Sequence, residues 1–108
     1  GNVLEWTMDH YDAGFYENSP SENPLNPSST LYPRVVRGGS FKHSENEISA
    51  SRRFTTDPKW KQIDPQIPKS QWWFPEAPFL GIRLVRPLET PSEEEIQAYY
   101  GQAPIDDY

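Results

Sequence analysis

Four sets of side chains in this 108-residue sequence have types that do chemistry elsewhere. His10 and His43 are the two histidines, and Asp9 and Asp12 flank the first. A histidine with carboxylates can hold a transition metal, and His43 alone could serve as a general base. No spacing brings His10 and His43 together, so a surface or hydrogen-bonded imidazole is the competing role. Ser40 is a conceivable nucleophile, yet no Gly-x-Ser-x-Gly elbow surrounds it and no base partner is indicated. As a turn residue it would hydrogen-bond locally. Arg52 and Arg53 adjoin Phe54, and a guanidinium beside a ring can grip a carboxylate or a peptide. A structural ion pair with Glu45, Glu47 or Asp57 is the alternative. Trp60, Trp72, Trp73 and Phe74 could floor a groove for a sugar or a peptide. Neighbouring tryptophans on an extended strand point to opposite sides, so at least one would face solvent or a partner. Core packing of their loop is the competing role.

Composition narrows the chemistry further. With no Cys there is no disulfide framework, no thiolate zinc site and no cysteine nucleophile. All ten Lys and Arg precede Pro87, while residues 89–108 hold six acids and no base. The body is therefore neutral and the tail carries the net charge of −6. A neutral body argues against a phosphate-facing nucleic-acid surface. No apolar run reaches the ~20 residues of a membrane span, and no basic-then-apolar leader opens the sequence. The hydrophobic content of 34% is low for a self-sufficient core, and the 14% aromatic content offsets part of that.

The elements that must position these groups are short. Val3, Leu4, Trp6 and Met8 open the chain on a core-forming pattern, which predicts that Gly1 is internal to a longer domain. Four prolines make residues 11–33 irregular, with Tyr11, Phe15, Tyr16, Leu25 and Tyr32 as expected aromatic anchors. Arg34–Arg37 reads as a strand ended by Gly38-Gly39, where positive φ is expected. Ser44 and Glu47 form a capping box for a turn or two of helix, with Ile48 and Ala50 on its buried side. A short strand is expected over 51–55 and the clearest one over 79–86, with Pro87 as its stop. Ser92 and Glu95 cap a tail helix bearing Ile96, Tyr99 and Tyr100 on one face, with Gly101 as its stop.

Three motifs in order resemble a known family: Gly1-Asn2-Val3-Leu4-Glu5-Trp6, Arg34-Val35-Val36-Arg37-Gly38-Gly39-Ser40-Phe41, and Gly81-Ile82-Arg83-Leu84-Val85-Arg86. They are similar to the C-terminal half of the formylglycine-generating enzymes, or sulfatase-modifying factors. The resemblance covers residues 1–87. It implies an irregular, loop-rich α+β fold related to C-type lectins, with short strands and few short helices. Residues 1–88 would be the C-terminal part of such a domain, and residues 89–108 an acidic tail with one short helix.

In that family two cysteines after the Gly-Gly-Ser motif hold copper for the oxidation of a substrate cysteine. Their positions here are His43 and Ile48, so no copper is expected and the established reaction is missing its ligands. Ser40, His43 and Arg52 remain as cleft candidates. The resemblance also implies calcium, in the parent protein, on the carbonyls of Gly1 and Val3 and the carboxylate of Glu5. An Asn ligand would precede Gly1.

The expected function is a non-catalytic binding or scaffold domain in a bacterial periplasmic or cell-surface protein. Its partners would be the missing N-terminal half of the domain or a partner chain, with a peptide, glycan or protein as ligand. One alternative is part of an oxidase or oxygenase, formylglycine-generating or resembling the non-haem-iron sulfoxide synthases, whose metal ligands lie in another domain. Another is a structural component of a gliding or secretion apparatus.

Overall fold

The computed structural model describes residues 1–62, 64–72 and 77–101. Four strands form one small mixed sheet: β1 (Leu4–His10), β2 (Arg34–Arg37), β3 (Arg53–Thr55) and β4 (Leu80–Gly81). Their spatial order is β3-β2-β1-β4. The β1–β2 and β2–β3 pairs are antiparallel, while β4 runs parallel to β1. Single 3-10 turns span Phe15–Glu17, Glu45–Glu47 and Pro58–Lys61, and one helix, α1, spans Glu93–Gly101. The architecture is α+β and loop-rich.

Alternation along β1 sorts the two faces of the sheet. Trp6 lies opposite Val36, and Val36 opposite Phe54. Leu4 and Val36, at 2% and 0% exposure, pack with Phe79 as the core, and Trp6, Phe54, Trp60, Ala77 and Leu80 close around them. Glu5, Arg37 and Arg53 are likewise in register, on the other face. Val35 is also buried, so β2 is covered on both sides. On the Arg53 side the segment after β1 is held by Arg53, whose guanidinium donates to the carbonyls of Asp12 and Ala13.

Several expectations hold and several need correction. Arg34–Arg37 is a strand, and Gly38 and Gly39 have φ of 91° and 74°. The strand expected over 51–55 forms over Arg53–Thr55. Both capping boxes form: Glu47 accepts from the N–H and Oγ of Ser44, and Glu95 from those of Ser92.

The strand expected over 79–86 is only two residues long. β4 sits at the sheet edge and pairs only with Leu4 and Glu5, so Ile82, Leu84 and Val85 gain no neighbour and stand in solvent. Gly81 allows the pairing it does make, because a Cβ there would lie 2.9 Å from Val3 Cγ2.

Ile48 and Ala50 are exposed rather than buried, because the turn at Glu45–Glu47 ends before either residue and forms no second helical turn. Gly101 is the last residue of α1, not the one beyond it.

The long proline-rich loop is held by aromatic anchors and by polar groups: Arg53 lies over the Tyr11 and Tyr16 rings, and Arg37 donates to the Tyr16 hydroxyl. Asn26 exchanges hydrogen bonds with His10 and gives its N–H to Asp9, and Ser28 Oγ lies 3.0 Å from His10 Nδ1. Backbone groups in a chain without ladder partners need such acceptors, and rings cannot supply them.

Candidate functional site

The two positive-φ glycines turn the chain sharply out of β2 and bring Ser40 beneath the sheet, where it is fully buried. His43 folds back over it. The Ser40 N–H points at His43 Nδ1 at 3.0 Å, and Ser40 Oγ lies 2.9 Å from the same nitrogen. An amide N–H can only donate, so Nδ1 must accept, and the proton of the neutral imidazole sits on Nε2. Ser40 Oγ gives its proton to Nδ1 and accepts from the Lys42 N–H at 3.3 Å. The backbone bond from His43 N–H to Ser40 C=O, 2.9 Å, closes the turn.

This turn forms one wall of a cavity of about 280 Å³. Phe54 supplies the next wall, its ring centroid 4.5 Å from that of His43. Trp60 and Phe79 meet edge to face at 5.2 Å, and Lys42 Nζ stands 4.2 Å above the Phe79 ring. Arg52 lies over Phe54 at 5.3 Å and pairs with Glu47 at 3.7 Å. Among the described residues no acidic side chain lines the cavity, and Thr55 adds a hydroxyl to its edge.

The arrangement can bind but is poorly built to attack. Ser40 touches His43, yet its hydroxyl has no exposed surface from which to reach a substrate. Of the residues singled out from sequence, Ser40, His43 and Trp60 line this cavity, and Arg52 reaches it through Phe54. Lys42, Phe54 and Phe79 were missed. Nothing in their spacing marks them, because the sheet register and the glycine turn bring them together.

Ile48 faces a different depression, an open groove of about 940 Å³ that also contains Gly1, Val3, Glu5 and Arg83. There the Glu5 carboxylate accepts from Arg83 Nε at 2.7 Å and Nη2 at 2.6 Å. This paired bond holds the carboxyl of Glu5 below the usual range. Calcium needs six to eight oxygen ligands. Glu5 is the one carboxylate of the Gly1, Val3 and Glu5 set, and a guanidinium occupies both its oxygens. A divalent cation arriving there would meet a like charge, so the set as arranged does not fit calcium.

The remaining candidates are spread apart. Asp9 accepts from Asn26 N–H and Asp12 from Gly14 N–H, so both carboxylates serve turns. Among the described residues no three of His, Asp and Glu gather as a metal site. Trp72 is 69% exposed, and Trp73 and Phe74 lie outside the described residues.

Asp64 was not foreseen. It accepts from Gln66 N–H, Ser70 N–H and Ser70 Oγ, which orders the loop from 64 to 70 and pulls its own pKa down. Its signal was a lone acid before proline in a loop, a common turn former.

No family model, no curated protein and no solved structure matches the chain.

Proposed function

We propose that this chain is a non-catalytic binding domain, the C-terminal part of a sulfatase-modifying-factor-type domain of a bacterial extracytoplasmic protein. The observation that carries the binding reading is the cavity beside His43. It has aromatic walls and a rigid polar turn, while the Ser40 hydroxyl at its base is sealed. The two positions that hold the family's cysteines support the absence of turnover. Ile48 has no donor atom, and His43 and Ile48 line different depressions.

The placement within that family and outside the cytoplasm rests on the three motifs alone. A partner chain, or the remainder of such a domain, would cover the exposed Ile82, Leu84, Val85 and Leu88. Among the described residues no helix is long and apolar enough to cross a membrane.

The test has two arms. The first incubates the protein with copper(I), oxygen and a cysteine-containing peptide, and the peptide mass should not change. The second follows thermal unfolding against a panel of monosaccharides, dipeptides and small aromatic acids and amides. At least one class should raise the midpoint saturably. Conversion of the cysteine, or a flat response to the whole panel, contradicts the proposal.

A further inference from the structure

Apart from the hydroxyls of Ser40 and Thr55, the polar side chains that line the His43 cavity among the described residues are a donor and a cation, His43 and Lys42. With Nδ1 held by Ser40, the free edge of the imidazole is Nε2–H, and among the described residues nothing accepts from it. Lys42 is exposed above the Phe79 ring, and among the described residues no carboxylate pairs with it. Among the described residues no acid lines the cavity, the Ser40 hydroxyl is already committed on both sides, and the Thr55 hydroxyl lies 3.5 Å from the Thr56 carbonyl. The apolar walls are rings: Phe54, Trp60 and Phe79.

From these features we infer that the cavity takes an aromatic carboxylate. The acid group would sit between Lys42 Nζ and His43 Nε2–H, and the ring among Phe54, Trp60 and Phe79. A carboxylate offers acceptors only and satisfies both donors without requiring an acceptor in return. A neutral amide would turn an NH₂ group toward the ammonium and forgo the charge pairing that a carboxylate makes with it. A cationic ligand would meet Lys42 and the nearby Arg52. A planar body suits the edge-to-face walls better than a branched aliphatic one. This inference rests on the cavity being a binding site. The same chemistry is found on a free aromatic acid and on an aromatic residue at a peptide's C-terminus.

The experiment is an NMR titration of the whole ¹⁵N-labelled chain with benzoate, benzamide, N-acetylphenylalanine and N-acetylphenylalanine amide. The imidazole and indole signals report the site. At least one acid should shift His43 Nε2 and the Trp60 indole saturably, and should bind about tenfold or more tightly than its own amide. Lys42→Gln, a change at an exposed side chain, should weaken the acid at least about fivefold and leave the amide unaffected. The tighter of the two acids identifies the source.

Equal binding of acid and amide overturns the carboxylate assignment and leaves the binding reading standing. The carboxylate assignment also falls, and the binding reading also stands, if neither acid moves His43 while another member of the thermal panel binds. If nothing in the panel binds, both fall. Unchanged acid affinity in Lys42→Gln also overturns the inference.

Discussion

At the residue scale, three positions test the core and the turns. Leu4 is nearly sealed in the core, and Leu4→Ala should cost about 2–5 kcal/mol in urea unfolding. Gly39 is held at φ 74° with Ile48 Cα 3.1 Å from where a Cβ would stand. Gly39→Ala should therefore cost about 1–3 kcal/mol and loosen the turn that seats Ser40. Gly14, at φ −88° with its nearest neighbour 3.7 Å away, should accept Ala with no loss. Equal costs at Gly39 and Gly14 would mean that the turn is not strained toward glycine.

Glu5 gives a pH signature. Its folded pKa lies below its unfolded value, so its contribution is complete above the usual carboxylate range near about 4.3. It is lost as pH falls through the folded value. Glu47, Asp64 and Glu95 are lowered too, by hydrogen bonds from Ser44, Ser70 and Ser92, and add in the same direction. The unfolding midpoint should thus be level near neutrality and decline on acidification from about pH 4. Arg83→Gln should remove the part of that decline due to Glu5. An unchanged acid limb in this variant would show that the ion pair contributes nothing to folding.

At the scale of elements, β2 is the best-protected strand and the segment after β4 the least. Amide exchange should be slowest at Val35 and Val36, and fast from Ile82 to Leu88, where the backbone lacks ladder partners. Among the described residues the tail helix touches no other element. Ser92→Ala should therefore lower helicity in the tail, by about 0.5–2 kcal/mol at the cap, without moving the midpoint of the sheet.

What could be read from sequence at this scale was local. The paired glycines, the two Ser-Glu boxes and the Arg34–Arg37 strand depend on nearby residues, and each was legible. The 79–86 segment shows where locality fails. Its alternation is strand-like, but pairing needs a neighbour, and β1 offers one only at Leu4 and Glu5. The candidate site was half legible for the same reason. Ser40 and His43 stand in one turn, whereas Phe54, Trp60 and Phe79 reach it only through β3, the turn at Pro58–Lys61 and the entry to β4.

At the scale of the whole molecule, the core is small. Among the described residues four apolar side chains are buried, and the radius of gyration is 16.2 Å against about 13 Å for a compact chain of roughly 100 residues. Polar cross-links such as Glu5–Arg83 and the Asp64 loop tie segments outside that core. Calcium at about 1 mM should leave the unfolding midpoint unchanged, because Arg83 already occupies Glu5. A midpoint that rises with calcium would show that the cation displaces the guanidinium.

The central claim is that a binding cavity is built around a His43 imidazole locked by Ser40. The long-range ¹H–¹⁵N spectrum of the histidines, recorded with and without saturating benzoate, tests it most directly. His43 should carry its proton on Nε2 in the free protein, and that nitrogen should shift when the ligand binds. An Nδ1–H tautomer, or a bound ligand that leaves His43 unmoved, would contradict it.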